Sequence, residues 1–407
     1  MKAPASVRYA LEALNFFMAD VQAGVGPFLG VFLLARGWES GAIGTVMTVG
    51  GIAGMLVTAP AGALVDRTHY KRTLAIVPAL CSILASVLIL WSQEFWVVAA
   101  SQTGSAIAGA AVLPAVAGIT LGIVGQAGFN RQNGRNQAFN HAGNMVGAAL
   151  SGWVGWQFGL SAIFILAALF AVFSIVSALL IPSGAIDYYR ARGQSEDAEG
   201  QPGSVGGFKI LLTCKPLLVL AVVLLLFHLG NAAMLPLYGL AVVAAKQGDP
   251  AEMVALTIVV AQGVMIVTAL IAMRMAEKGG YWIVILISLV ALPVRAVVAA
   301  SVITSWGVFP VQILDGIGAG LQSAAVPGMV ASLLNRTGRV NLGQGAVMTM
   351  QGIGAALSPA FGGWAAQLAG YRTAFLLLGI FPLIAIALWL VFARSLKPSD
   401  AAAEAAA

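Results

Sequence analysis

Charged residues are scarce in this sequence. Its 407 residues include 21 Lys or Arg and 15 Asp or Glu, so that 9% of the chain is charged whereas 60% is hydrophobic. The surface of a soluble protein needs roughly a quarter to a third of charged side chains. The scarcity of charge therefore excludes an ordinary soluble fold and indicates that lipid surrounds most of the chain.

Cysteines and catalytic motifs are nearly absent as well. The two cysteines, Cys81 and Cys214, lie far apart and match no metal-binding or redox spacing. The sequence contains no phosphate-binding Gly-x-x-x-x-Gly-Lys-Ser/Thr loop and no cluster of metal ligands. These absences argue against an ATP-driven pump or a membrane enzyme, and we expect no bound cofactor or metal.

Long apolar runs are abundant instead. A bilayer core about 30 Å thick requires about 20 residues of helix, and runs of that length recur between polar, glycine or proline breaks. They predict helices over residues 9–35, 41–65, 73–93, 95–122, 137–159, 161–182, 216–241, 252–275, 281–302, 306–332, 341–368 and 371–393. We therefore predict an all-α membrane protein with twelve transmembrane helices.

The runs divide into two groups of six. We expect an N-terminal bundle over 1–182, a cytoplasmic linker over 183–215, a C-terminal bundle over 216–395 and a cytoplasmic tail over 396–407. The linker is rich in glycine and charge, a composition that lipid does not accommodate.

Internal repetition relates the two halves. The segment Val-Gly-Ala-Ala-Leu-Ser at 146–151 recurs as Ile-Gly-Ala-Ala-Leu-Ser at 353–358. Gln22 stands five residues before a proline, as does Asn231. Two duplicated, pseudo-symmetric bundles are implied.

The basic residues predict the orientation of the chain. Seventeen of the 21 basic residues lie in segments between the predicted helices, or at the termini, on the side of the membrane that carries both termini. The connections on the opposite side contain Arg36, Lys246 and Arg372, and Arg295 lies inside a helix. Because basic residues collect on the cytoplasmic side, we expect a multi-pass protein of the inner membrane with both termini in the cytoplasm. The formal charge of +6 then reflects orientation, and we expect no nucleic acid as a partner.

Pairs of glycines four residues apart predict close packing between helices. They are Gly50/Gly54, Gly143/Gly147 and Gly316/Gly320.

A loop signature follows the second predicted helix. Gly62, Asp66, Arg67, Lys71 and Arg72 stand in a pattern that resembles Gly-x-x-x-Asp-Arg-x-Gly-Arg-Lys/Arg of the major facilitator superfamily. The resemblance covers essentially the whole chain and implies an alternating-access transporter. It also implies that the carboxylate of Asp66 caps a neighbouring helix or meets an arginine, locking the cytoplasmic face in the outward-open state.

Other motifs of the superfamily differ here. His69 and Tyr70 replace the usual glycine and basic residue of the signature. Drug exporters of the superfamily carry an arginine in the fourth helix where this chain has Ala100, and the fifth helix lacks their proline. Motifs therefore do not establish export.

Four ionisable residues within the predicted helices are candidate functional groups, because a charge at bilayer depth is costly. They are Asp20, His228, Arg295 and Asp315. Asp20 lies about 16 Å into the first helix, near the midplane, and either binds a proton or substrate or bonds to polar neighbours such as Gln22. Arg295 and Asp315 lie at similar depth on adjacent helices, so we expect an ion pair that either rearranges as a gate or neutralises two buried charges.

Polar side chains extend the candidate site. His228 and Asn231 share a helix face, which the resemblance places near the central cavity, where His228 either titrates or bonds to backbone. Gln102, Gln312 and Gln322 either line the same cavity or join neighbouring helices. A further polar group before the fifth helix is interpreted mainly as a solvated cytoplasmic gap, with gating contacts as the alternative: Asn130, Arg131, Asn133, Arg135, Asn136, Asn140 and His141.

The leading hypothesis is a monomeric secondary transporter for a small organic solute, coupled to the proton gradient through Asp20, with export favoured. Uptake or facilitated diffusion of a metabolite or metal chelate is the alternative within transport. A membrane sensor or scaffold without transport is the alternative of another class. The cargo itself cannot be read from a few amides and carboxylates.

Overall fold

A computed structural model describes residues 4–23, 26–188, 214–334 and 340–396. Helices dominate these residues because each long apolar run satisfies its backbone hydrogen bonds internally, as lipid requires. The helices are α1 (Ala5–Ala23), α2 (Gly26–Leu34), α3 (Ser40–Arg67), α4 (Lys71–Trp91), α5 (Phe95–Gly109), α6 (Val112–Phe158), α7 (Leu160–Leu179), α8 (Lys215–Asn231), α9 (Met234–Ala244), α10 (Pro250–Ser301), α11 (Val308–Leu333), α12 (Val340–Val391) and α13 (Ala393–Leu396). A 3-10 turn, Ser183–Ala185, follows α7.

Three of these helices turn sharply at a glycine and so contain two spans each. The φ angles are 66° at Gly125 in α6, 75° at Gly280 in α10 and 82° at Gly370 in α12. Only glycine adopts such a backbone without strain. Three further spans are interrupted: α1 with α2, α5 with the part of α6 before Gly125, and α8 with α9. Counted in this way, the described residues form twelve helical spans, which confirms the predicted all-α, twelve-helix architecture.

The fifth span begins earlier than predicted. The hydropathy pattern predicts a start at residue 137, whereas the helix is continuous from the turn at Gly125 to Phe158. Asn136 is 1% exposed, so its interpretation as part of a solvated gap is wrong, and Gln132 beside it is 4% exposed. Their amides form hydrogen bonds to other side chains inside the bundle, so they do not need water as a partner.

The chain forms two compact units. Unit 1 comprises Met1–Gln201 and Gly248–Val259, and unit 2 comprises Pro202–Gln247 and Val260–Ala407. Most of the predicted linker lies outside the described residues, as does all but the first residue of the predicted tail.

Glycines bring helices into direct backbone contact in both units. A Cβ on Gly143 of α6 would overlap the carbonyl oxygen of Phe16, and one on Gly354 of α12 would overlap that of Leu225 in α8. A Cβ on Gly316 or Gly320 of α11 would likewise collide with α10. These contacts are the close helix packing that small residues allow in a membrane.

Candidate functional site

An ion pair lies at the centre of the polar groups in unit 2. Arg295, on the second span of α10, places Nη1 2.9 Å from Oδ1 of Asp315 on α11. The two helices are consecutive and antiparallel, so residues equally far from their connection meet. The predicted pairing of these two residues is therefore present.

Two amides complete the cluster around this pair. Arg295 donates from Nη1 to Oδ1 of Asn231 at 2.7 Å and from Nη2 to Oε1 of Gln312 at 3.1 Å. Asn231 also donates from Nδ2 to Oδ1 of Asp315 at 3.1 Å. Because its amide contacts both charges, Asn231 joins α8 to α10 and α11.

The burial of the two charges differs. The side chain of Arg295 is fully buried, whereas that of Asp315 is 11% exposed. Nε of Arg295 and Nε2 of Gln312 are buried without a hydrogen-bond partner among the described atoms. The carboxylate of Asp315 is thus the charged group of the cluster that remains partly exposed.

His228 lies one turn before Asn231 on α8. Its Nδ1 is 2.9 Å from the carbonyl oxygen of Leu224. A carbonyl oxygen only accepts, so Nδ1 is the donor in this contact. The ring of Phe227 packs edge-on against the imidazole, with centroids 5.4 Å apart.

The remaining predicted site residues lie apart from this cluster or outside the described side chains. Gln322 of α11 donates to Oγ of Ser288 on α10 at 3.2 Å, which is a contact between neighbouring helices. Gln102 is partly buried on α5 in unit 1. Asp20 and Gln22 lie on α1, and their side chains lie outside the described part of the structure.

The loop signature covers the last residues of α3, a three-residue connection and the first two residues of α4. Lys71 is fully buried and donates from Nζ to the carbonyl oxygen of Val65 at 2.7 Å. A Cβ on Gly62 would meet nothing within 4 Å, so close packing does not explain this glycine. The side chains of Asp66 and Arg67 lie outside the described residues, and the gating role predicted for Asp66 stays a prediction.

Arg72 stabilises the end of another helix. Its guanidinium donates from Nε to the carbonyl oxygen of Ala178 at 3.2 Å and from Nη2 to that of Leu179 at 3.1 Å. Both carbonyls belong to the last turn of α7, where a cation complements the helix dipole. The contact joins the start of α4 to the end of α7 within unit 1.

A second buried carboxylate, Glu12, does not figure among the sequence-based candidates. It lies on α1, is 2% exposed and pairs with Arg135. Asp20 is a candidate because it is an ionisable residue inside a predicted membrane helix, and Glu12 meets the same criterion because it lies inside the predicted helix 9–35. Its nearness to the N-terminal end of that helix concealed how deeply it is buried in the bundle.

Comparisons with known proteins agree with this architecture. The sequence model of the Major Facilitator Superfamily matches residues 11–294 and, in a second match, 220–406. Two proteins described as uncharacterized MFS-type transporters, from the CDC 1551 and H37Rv strains of Mycobacterium tuberculosis, are each 37% identical over 399 residues, covering 98% of this chain and 95% of their own.

Solved structures share the fold at low sequence identity. A variant of the nucleoside transporter NupG superposes with a TM-score of 0.79 at 14% identity, covering 95% of this chain and 99% of its own. A bacterial homolog of the human lysosomal transporter Spinster, inward-facing and unoccupied, gives 0.73 at 13% identity and covers 96% and 97%.

Twelve helical spans and a match along almost the whole chain define a membrane transporter. The chain belongs to the Major Facilitator Superfamily. It is a multi-pass membrane transporter and not an enzyme.

Proposed function

We propose that this chain is a secondary active transporter that moves a small organic solute across the inner membrane by alternating access, using the proton gradient. The observation that carries the proposal is the buried ion pair of Arg295 and Asp315, bridged by Asn231. A carboxylate held beside a buried guanidinium changes its proton affinity when that contact changes. Such a group can couple proton binding to a conformational change.

The coupling follows from the cost of buried charge. While Arg295 contacts Asp315, each charge is balanced by the other. If a conformational change separates them, an ionised carboxylate at membrane depth is costly, and it takes up a proton. Arg295 then keeps its hydrogen bonds to Asn231 and Gln312. Asp20, near the middle of the first helix by its position in the sequence, is the second carboxylate proposed to bind a proton.

Export is the direction that we propose. A solute that hydrogen-bonds to the same carboxylate competes with the proton, so that the solute leaves as protons enter. Uptake together with protons is the alternative within transport, and a sensor without transport is the alternative outside it. The nucleoside transporter among the structural neighbours makes nucleosides one class of solute to test.

The test begins with a thermal-shift screen of the purified protein against small solutes, nucleosides included, to find a cargo. In proteoliposomes under an imposed proton gradient, radiolabelled cargo then reports accumulation, and an enclosed pH indicator reports proton movement. We expect Asp315→Asn or Asp20→Asn to abolish uphill accumulation while exchange of cargo between the two compartments persists. The exposed Glu94 provides the control Glu94→Gln, which should behave as the unmodified protein does.

Gradient-driven accumulation that is undiminished in both aspartate variants would overturn the proton-coupling proposal. Proton movement opposite to that of the cargo supports export, and movement in the same direction supports uptake. A cargo that binds but shows no flux in either assay supports the sensor.

A further inference from the structure

The polar cluster around Arg295 and Asp315 carries no net formal charge from its acidic and basic side chains. Arg295 is the sole Lys, Arg, Asp or Glu in the second span of α10, and Asp315 is the sole one in α11. The first span of α12 contains none, and α8 has Lys215 at its first residue. By helical rise, Lys215 lies about 24 Å along α8 from Asn231. One cation and one anion therefore dominate the electrostatics of this site.

The guanidinium of Arg295 is held by three partners. Besides the carboxylate of Asp315 at 2.9 Å, it contacts Oδ1 of Asn231 at 2.7 Å and Oε1 of Gln312 at 3.1 Å. The side chain of Arg295 is fully buried. A solute that approaches Asp315 therefore meets a carboxylate whose countercharge is already in place.

Asp315 is the member of the pair that a solute can reach. Its side chain is 11% exposed, whereas that of Arg295 is 0% exposed. The recorded contacts of the carboxylate, with Arg295 and with Nδ2 of Asn231, both end on Oδ1. Oδ2 has no recorded hydrogen bond among the described atoms, so it is the oxygen that remains for a solute.

A cationic solute at Oδ2 would also approach Arg295. Nη1 of Arg295 lies 2.9 Å from the other oxygen of the same carboxylate, so two cations would share one negative charge. Repulsion between the cations offsets much of the attraction to the carboxylate. The hydration that the incoming cation loses is then not recovered. The ion pair therefore disfavours cationic solutes.

An anionic solute is disfavoured for a different reason. Its partner would be Arg295, which is fully buried and already contacts acceptors through Nη1 and Nη2. The donors without a recorded partner, Nε of Arg295 and Nε2 of Gln312, are buried as well. The charged group that the anion meets is the partly exposed Asp315, which repels it.

We infer that this site selects an uncharged solute that donates a hydroxyl or amide N–H group to Oδ2 of Asp315. A hydrogen bond to a carboxylate is stronger than one between neutral groups, and such a solute brings no net charge into the membrane interior. Arg295 sets this preference because it balances the charge of Asp315. The inference rests on the proposed function, which takes Asp315 as a group that binds the solute, and it adds the chemical class of that solute.

Matched sets of solutes test the preference by binding alone, without a gradient. In each set a terminal hydroxymethyl group is replaced by aminomethyl, which is charged at neutral pH, or by carboxylate. The sets are benzyl alcohol, benzylamine and benzoate; glucose, its terminal amine and glucuronate; and uridine with its terminal amine and carboxylate. The shift of the thermal unfolding midpoint with solute concentration gives the apparent affinity. We expect the hydroxyl member of at least one set to bind about tenfold or more tightly than its charged counterparts.

Charge variants of the pair should change this preference in opposite directions. Arg295→Gln leaves the charge of Asp315 unbalanced, so the amine should become the tightest binder of its set. Asp315→Asn leaves Arg295 unbalanced, so the carboxylate should gain affinity relative to the hydroxyl member. The double variant Arg295→Gln/Asp315→Asn has no net charge, should again prefer the hydroxyl member, and remains measurable where a single variant is too unstable. Arg372→Gln, which removes an exposed arginine of unit 2, should keep the preference of the unmodified protein.

The inference is overturned if a charged member binds most tightly to the unmodified protein, or if no hydroxyl member binds. An unchanged preference in both single variants overturns it as well. If His228→Asn changes the preference as strongly as Arg295→Gln does, the imidazole and not the ion pair sets the charge of the site, which also contradicts it. Hydroxyl-selective binding without proton-driven accumulation contradicts the proposed coupling alone, whereas proton-driven accumulation of a charged member contradicts this inference alone.

Discussion

Arg295 is the residue on which the polar cluster of unit 2 depends, because it bonds to Asp315, Asn231 and Gln312 at once. Arg295→Leu leaves the carboxylate of Asp315 without its countercharge and two amides without a donor. Breaking a buried pair by removing one partner costs about 3–5 kcal/mol. We expect a clearly lower midpoint of thermal unfolding in detergent than for Arg372→Leu, which changes an exposed arginine.

The double variant Arg295→Leu/Asp315→Leu distinguishes a charge effect from lost packing. Replacing both members of a buried pair by apolar groups is often neutral, so much of the lost stability should return. An equally low midpoint in the single and double variants would show that the destabilisation does not arise from the unpaired carboxylate.

Sequence reasoning at this scale depended on helix connectivity. Arg295 and Asp315 lie on consecutive helices, and their distances from the intervening turn predicted their contact. Asn231 lies on α8, which is not directly connected to the second span of α10, so the number of intervening residues does not predict its contact with Arg295. Glu12 and Arg135 are separated by 123 residues, so their pairing depends on which helices pack together, which hydropathy does not specify.

Among the helices, α8 and α12 show how glycine determines packing distance. At Gly354 a Cβ would overlap the carbonyl oxygen of Leu225 and approach the backbone nitrogen of Leu229 to 3.0 Å. Backbone atoms cannot rotate away as a side chain can. Gly354→Ala should therefore destabilise unit 2 by about 1–3 kcal/mol, the usual cost of overpacking, measured as a lower midpoint of thermal unfolding.

Gly345, on the same helix, provides the matched control. Its Cβ would meet nothing within 4 Å, and alanine is favoured over glycine in a helix by up to about 1 kcal/mol. Gly345→Ala should leave stability unchanged or raise it. If both variants lower the midpoint equally, the close approach at Gly354 is not the cause.

Hydropathy predicts which helices exist better than it predicts where they end. The continuous apolar runs predicted all twelve spans, because a chain segment in lipid must satisfy its backbone hydrogen bonds internally, as a helix does. The fifth span begins eleven residues before the predicted start, since Gln132 and Asn136 find partners inside the bundle. A hydropathy window counts such amides as loop residues, and only the three-dimensional contacts show that they are satisfied.

For the whole molecule, the apolar runs predicted twelve helices and the loop signature carried the resemblance to the superfamily, whereas the cargo and the direction of transport depend on a few side chains and their motions. Orientation is a property of the whole chain that sequence predicts and labelling can test. The distribution of basic residues predicts that Lys246 faces the outside and that Tyr70 faces the cytoplasm. Both side chains are exposed.

Single cysteines at these two positions, in a protein in which Cys81 and Cys214 are serine, measure this orientation. A membrane-impermeant maleimide added to intact cells should label Lys246→Cys but label Tyr70→Cys only after the membrane is permeabilised. Tyr70 is predicted to lie on the same side of the membrane as both termini, where basic residues collect. Labelling of Tyr70→Cys but not of Lys246→Cys in intact cells would therefore place both termini outside. Equal labelling of both positions in intact cells would contradict an odd number of spans between them.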